Sequence, residues 1–176
     1  DRFSVLVVED NNDLRSFLQS CLTRSYKVYT AVNGEDGWQQ TLEYMPDLVI
    51  TDLMMPVLDG FELAERIKAD PTTCHIPIVV LTAKNTLDDR IRGANSGIAE
   101  YMVKPFSTQL LKARVAMILQ QQQILREKYM ERIEQKSAGE VGIQPSELSI
   151  MPADEQFMQQ LMAYIEANIE NPDLSI

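Results

Sequence analysis

The chain has 176 residues, 45% of them hydrophobic, and a formal net charge of −10. This is enough apolar material for a packed core without disulfides, and no apolar stretch approaches the roughly 20 residues that span a bilayer. The charge is uneven, with −6 over residues 1–106, +3 over 107–136 and −7 over 137–176. A chain this acidic, with so small a basic patch, is a poor nucleic-acid binder by itself.

Five short runs predict β-strands. Residues 5–8, 48–50, 78–81 and 101–103 are apolar, and residues 26–31 alternate in the manner of an edge strand. Amphipathic stretches of helix length separate these runs, as crossover helices separate the strands of a parallel sheet. The chain therefore predicts an α/β fold built on five parallel strands.

Start and stop signals mark the first three helices. The first is predicted from Asp13, and its apolar residues share one face: Leu14, Phe17, Leu18, Cys21 and Leu22. The second follows residues 33–34, an Asn-Gly turn, and ends at Tyr44. The third is opened by Asp59, as turn and helix cap, and closes before Asp70.

A long helix is predicted over 107–136, with Ser107 as its N-cap, after a weaker helix over 86–97. At 1.5 Å per residue it extends about 45 Å, well past a small sheet. Its apolar residues follow a possible heptad seam, namely Leu111, Val115, Ile118, Leu125 and Tyr129, which Gln122 and Arg132 interrupt. Two interpretations stay open, a short parallel coiled coil and a solvated connector with a few core contacts.

Polar residues follow four of the strands. Glu9 and Asp10 come after the first strand, Asp52 after the third, Thr82 after the fourth and Lys104 after the fifth. Because the carboxyl ends of parallel strands meet in one crevice, these side chains are expected to gather there. Three acids, a hydroxyl and an ammonium group can bind a divalent cation and handle a phosphoryl group. Mg²⁺ suits such a site because it prefers oxygen ligands.

The pattern resembles the receiver domain of two-component response regulators over roughly residues 3–120. The matching segments are 5–10 (VLVVED), 52–60 (DLMMPVLDG), 79–83 (VVLTA) and 101–106 (YMVKPF). The resemblance implies a doubly wound, flavodoxin-like and CheY-like sheet of order 2-1-3-4-5, here with an extended last helix and a C-terminal helical tail. It implies a receiver domain over 1–120 and a helical extension and linker over 121–153.

The resemblance also assigns roles to the site residues. Asp52 would accept a phosphoryl group from a kinase histidine, and Asp10, Asp52 and the Met54 carbonyl would ligate Mg²⁺. Glu9 would act through a bound water. Lys104, which Pro105 is predicted to turn inward through a cis peptide, would pair with a phosphate oxygen.

Thr82 would bind another phosphate oxygen and move toward it. Tyr101 would then turn inward as the switch residue, and a phospho-dependent homodimer would follow. The alternative for Tyr101 is a half-buried strand tyrosine without a switching role. His75 and the cysteines Cys21 and Cys74 are interpreted without a functional role, His75 as a surface residue and the cysteines as buried or half-buried side chains.

Residues 154–176 resemble the first helix of an AraC-type helix-turn-helix domain, with Asp154 as its cap. Receivers followed by that domain occur at the end of hybrid sensor histidine kinases of Bacteroides-like bacteria. We therefore expect a piece of a longer cytoplasmic chain, with a histidine kinase domain as partner, either in the same parent chain or in a separate protein. It would reach DNA only through a domain missing here, and it would make no membrane contact.

Other classes of protein fit the sequence less well than a phosphoacceptor. A receiver-like module that dimerises or docks without phosphorylation is the alternative, although such domains usually lose an acid or the lysine. A flavin protein would need a phosphate-binding loop where residues 9–13 are acidic, and an aspartate-nucleophile phosphatase would need an acid at Met54. The chain is thus expected not to be an enzyme, but an acceptor that assists its own phosphorylation and dephosphorylation.

Overall fold

A computed structural model describes residues 2–83 and 97–137, with side chains as far as 133. The chain divides into two compact units, Asp1–Met130 and Glu131–Ile176. Most of the helix predicted over 86–97, the part of the predicted extension and linker over 121–153 that follows residue 137, and the tail over 154–176 lie outside the described residues. Within the described part, no helix is long and apolar enough to cross a membrane.

Five parallel strands form one sheet. They are β1 (Ser4–Val8), β2 (Lys27–Ala31), β3 (Leu48–Asp52), β4 (Ile78–Thr82) and β5 (Glu100–Val103). Their order is β2-β1-β3-β4-β5, and every neighbouring pair is parallel. The predicted sheet order 2-1-3-4-5 is confirmed, which places β1 and β3 in the interior of the sheet.

Four helices are described: α1 (Asn12–Leu22), α2 (Gly34–Tyr44), α3 (Gly60–Ala69) and α4 (Thr108–Ser137). Each begins where a short polar side chain accepts a backbone N–H. The caps are Asn11, Asn33, Asp59 and Ser107, residues that favour this role. Asp59 forms a full capping box with Glu62, so its predicted role as a helix cap is confirmed. The first helix begins one residue before the predicted Asp13.

The two faces of the sheet carry separate cores because successive strand residues point to opposite sides. Val5 and Val7 join a cluster with α1 and α4, while Leu6 and Val8 join a cluster with α3. The prediction that Phe17 packs on the core face of α1 is wrong, since it is 50% exposed while Leu18 and Leu22 are fully buried. Cys74, predicted to be buried or half-buried, is exposed.

The long helix α4 changes character along its length. Leu111, Val115, Ile118 and Leu119 are buried in the core. Farther along, Leu125 and Tyr129 are 49% and 63% exposed. The first half therefore makes the predicted core contacts and the second half keeps its apolar residues at the surface. Both interpretations of the helix stay open.

Candidate functional site

The sheet brings the predicted acids together. Val8 of β1 is paired with Thr51 of β3, and the next residue on each strand is an acid, Glu9 and Asp52. Asp10 follows directly. One carboxylate oxygen from each acid lies within 4.8 Å of the others. Adjacent strand ends, separated in sequence by some forty residues, thus form one acidic pocket.

Lys104 supplies positive charge to this pocket. Its backbone N–H donates to the Thr82 carbonyl at 2.7 Å, just after the end of β5. Its Nζ lies 3.0 Å from Asp52 Oδ2 and 3.2 Å from Glu9 Oε2. The predicted cis peptide between Lys104 and Pro105 is present. One ammonium group therefore contacts two of three clustered carboxylates, and the pocket keeps an excess of negative charge.

Glu9 is the most enclosed of the acids, at 1% exposure. Its Oε1 accepts the Asn11 N–H at 3.1 Å, and its carbonyl accepts Arg15 Nη1 at 2.7 Å. Burial raises the pKa of Glu9 above its usual value, and the charge of Asp52 adds to this, while the Asn11 hydrogen bond and Lys104 oppose it. A carboxylate held in this way can fix the shape of the site without reaching solvent.

Asp52 and Asp10 differ from Glu9 in access. Asp52 is 8% exposed, and its Oδ1 accepts the Met54 N–H at 3.4 Å. Asp10 is exposed. Exposure therefore increases from Glu9 through Asp52 to Asp10, and solvent reaches the cluster at Asp10.

These oxygens fit a hard divalent cation. Mg²⁺ holds oxygen ligands at about 2.0–2.1 Å, so that two ligands on one ion lie up to about 4.2 Å apart. The carboxylate oxygens of Glu9, Asp10 and Asp52 need only a small adjustment from their present separations to reach that range. Their type, number and excess negative charge all agree with the predicted metal.

Thr82 and Tyr101 lie on neighbouring strands. Thr82 ends β4 at the pocket edge and is 1% exposed. Tyr101 is half-buried on β5, against the α3-side core, with its ring centroid 6.2 Å from that of Phe61. Their predicted roles in switching remain predictions, because a half-buried tyrosine fits both interpretations. His75 is exposed, as predicted for a surface residue.

The sequence alone did not single out Val57, in the loop between β3 and α3. This residue has φ of +73°, and Leu58 N–H donates to the Pro56 carbonyl at 2.9 Å, closing a three-residue γ-turn around it. Positive φ is an outlier for a β-branched residue, and such strain costs on the order of 1–3 kcal/mol. Sequence patterns predict valine in strands, so no signal pointed to this backbone conformation.

Comparisons with known proteins agree on one family. The family model for the response regulator receiver domain matches residues 5–116 of this chain. The chain is 32% identical, over its full length, to histidine kinase P4 of Formosa agariphila, and 40% identical over 68% of its length to the sensor histidine kinase TmoS of Ectopseudomonas mendocina. It spans only 12% of either relative.

Solved structures give the same result for the fold. A response regulator described as putative, from Chloroflexus aurantiacus, superposes with a TM-score of 0.64 at 34% identity, covering 68% of this chain and 98% of that one. The receiver domain of a signal transduction histidine kinase from Syntrophus aciditrophicus superposes with a TM-score of 0.63 at 28% identity, covering 67% and 90%.

Proposed function

Because the chain belongs to the response regulator receiver domain family, we propose that Asp52 accepts a phosphoryl group from the phosphohistidine of a kinase, with Mg²⁺ bound in the acidic pocket. The observation that carries this proposal is the position of Lys104 Nζ, 3.0 Å from Asp52 Oδ2 within a cluster of three acids. An ammonium group at that distance can offset the charge of an incoming phosphoryl group.

The transfer consists of one bond made and one bond broken. An Asp52 carboxylate oxygen forms the new bond to phosphorus while the bond from phosphorus to the donor's imidazole nitrogen breaks. The nitrogen keeps the electron pair. Nucleophile and donor are both anionic, so their approach costs free energy unless cations offset it.

The protein supplies much of that offset by position. Bound Mg²⁺ would contribute charge neutralisation at the phosphate oxygens. Asp10, Asp52 and the Met54 carbonyl would hold it directly, and Glu9, enclosed and tied to Asn11, would fix the geometry through water. Lys104 would move from its contact with the Asp52 carboxylate to a phosphate oxygen. The same residues would assist the later hydrolysis of the acyl phosphate.

Phosphorylation would change the surface around β4 and β5. Thr82 would bind a phosphate oxygen, Tyr101 would turn inward, and phosphorylation would shift an existing equilibrium between two packings. We propose a phospho-dependent homodimer and control of transcription as the result. AfsQ1 of Streptomyces coelicolor, 41% identical over 66% of this chain, is named a transcriptional regulatory protein. Light scattering that finds a monomer with and without a phosphate mimic would contradict the dimer.

The kinase partner follows from the same likeness. Hybrid and sensor histidine kinases are among the relatives, so the proposed donor is a histidine kinase domain, either in the same parent chain or in a separate protein. The division into a receiver over 1–120, an extension and linker over 121–153 and an AraC-type helix over 154–176 stays a prediction.

Intact-mass spectrometry after incubation with a small-molecule phosphodonor and Mg²⁺ tests the proposal. The wild type should gain one phosphoryl group, and both Asp52→Asn and removal of Mg²⁺ with EDTA should abolish the gain. Asp59→Asn is the matched control, because Asp59 caps α3 outside the pocket and asparagine is an equally good cap. A wild type that gains nothing while a known receiver is loaded would favour the phosphorylation-independent docking module.

A further inference from the structure

The loop between β3 and α3 is fixed at both ends. Leu53 N–H donates to the Leu81 carbonyl and Gly60 N–H donates to the Leu53 carbonyl, both at 2.9 Å. A Cβ at Gly60 would collide with the Asp52 carbonyl oxygen, and a Cβ at Gly34 would collide with the Leu58 carbonyl oxygen. The backbone approaches so closely at these two points that only glycine fits.

Between those fixed ends lies the strained residue. Val57 has φ of +73° and a side chain that is 82% exposed. Such an exposed valine gains little from packing, so its own contacts do not offset its backbone strain. The surrounding loop must hold it in place, which is the usual condition for a strained residue to persist. The loop therefore has a built-in tendency to leave the observed conformation at this residue.

The strained turn belongs to the same loop as part of the metal site. Met54, three residues before Val57, donates its N–H to the Asp52 carboxylate at 3.4 Å, and its carbonyl is the proposed backbone ligand of Mg²⁺. A loop that opens at Val57 would free this segment. We call the observed conformation of the loop its closed form. A metal that needs the Met54 carbonyl would then bind only this closed form.

We propose that Val57 weakens Mg²⁺ binding at the acidic pocket by destabilising the closed form of the loop over 53–59. The inference rests on the proposed function of that pocket. When the binding-competent form is only partly populated, the apparent dissociation constant rises in proportion. Occupation of the pocket therefore closes the loop, and a residue that accepts positive φ without strain would leave it closed in advance.

Substitutions at residue 57 test this directly. Glycine adopts positive φ freely and asparagine does so more readily than other residues that carry a Cβ. Compared with the wild type, Val57→Gly and Val57→Asn should lower the Mg²⁺ dissociation constant by about twofold to tenfold. Val57→Ile is the matched control, because it keeps the β-branch and the strain at an exposed position, and it should bind like the wild type.

Mg²⁺ is titrated into each protein, and binding is followed by NMR on the amide signals of Met54 and Leu58. The Asp10→Asn variant shows whether the response comes from the acidic pocket. Without Mg²⁺, the Leu58 amide should exchange more slowly in Val57→Asn than in the wild type, since this amide closes the γ-turn. Slower exchange together with tighter binding would support the proposal.

Two results overturn it in distinguishable ways. Equal Mg²⁺ affinity in the wild type, Val57→Gly and Val57→Asn would show that the strain does not reach the metal site, and would leave the proposed function intact. A wild type whose pocket does not respond to Mg²⁺ would overturn the proposed function and this inference with it.

Discussion

Carboxylates lie beside a basic side chain at two edges of the sheet, the carboxyl edge where the strands end and the amino edge where they begin. The surroundings of the carboxylates differ between the two. At the carboxyl edge, Glu9, Asp10 and Asp52 form one cluster, and Lys104 contacts Glu9 and Asp52. At the amino edge, Asp47 has its own donors. It accepts Ser4 N–H and Oγ–H at 2.8 and 2.9 Å, and Arg126 Nη1 of α4 lies 3.2 Å from its other oxygen.

This difference distinguishes acids that can bind a ligand from an acid that stabilises the fold. In the cluster, three carboxylates outnumber the ammonium group of Lys104, which leaves carboxylate oxygens available to a metal and to a phosphoryl group. Asp47 belongs to no such group of three acids among the described residues, and its contacts with Ser4 and Arg126 tie β1, β3 and α4 together. Substitutions at the two edges should therefore separate activity from stability.

Lys104→Met should give the largest effect. Removal of the ammonium group takes away the charge that faces the incoming phosphoryl group, and phosphorylation by a small-molecule donor should slow by about 100-fold. Mg²⁺ should bind at least as tightly, because the competing cation is gone. Time-resolved intact-mass spectrometry measures the rate. Lys112→Met, an exposed lysine of α4, is the control, and equal rates in all three proteins would contradict the assigned role.

Asp47→Ala should destabilise the fold without changing the chemistry. The half-buried Ser4 N–H loses its acceptor, which costs about 1–3 kcal/mol. Urea denaturation measures the free energy of unfolding, and the phosphorylation assay should show a normal gain at a temperature where the variant is folded. Asp13→Ala, at an exposed acid, should change stability much less. Loss of phosphorylation in folded Asp47→Ala would break the contrast between the edges.

Glu9→Gln should change how stability depends on pH in the absence of metal. The pKa of Glu9 is raised in the folded state above its usual value of 4.5, so the folded protein binds this proton more tightly than the unfolded chain. Wild-type stability is therefore lost as pH rises from 4.5 through the folded pKa. Relative to the wild type, the glutamine variant should gain stability above pH 4.5 and show no such gain below it.

That test is made by urea denaturation at several pH values in EDTA. A difference between the two proteins that is constant across pH would show that Glu9 is not the titrating group. A difference of opposite sign would mean that Lys104 and Asn11 outweigh burial at this carboxylate.

Arg126→Gln should give the smallest effect. The Arg126 side chain is 52% exposed, and exposed ion pairs contribute about 0–1 kcal/mol. The loss in free energy of unfolding should therefore stay below about 1 kcal/mol and shrink in high salt. A larger, salt-independent loss would mean that the amino edge depends on Arg126 more than on Ser4.

Much of this molecule was predictable from local patterns. The strands and the helix caps Asp59 and Ser107 follow from short signals in the chain, whereas the sheet order was implied by the family resemblance. Those signals are local preferences of backbone and side chain, so they operate before any packing. The predictions for Phe17 and Cys74 are wrong because apolar character alone does not decide burial. Phe17 is one position away from the row formed by Leu18 and Leu22, and it remains outside the core.

By itself, the sequence determined the strands, most helix boundaries and the set of residues at the strand ends. Periodicity, caps and turns could be predicted because each depends on residues that are close together in the sequence. Only the tertiary structure decided the distances that make those residues a site, the contact between Glu9 and Lys104, and the donors around Asp47. It also decided the backbone at Val57. Each of these depends on contacts between segments far apart in the chain, or on a loop held from both ends, and no local preference contains that information.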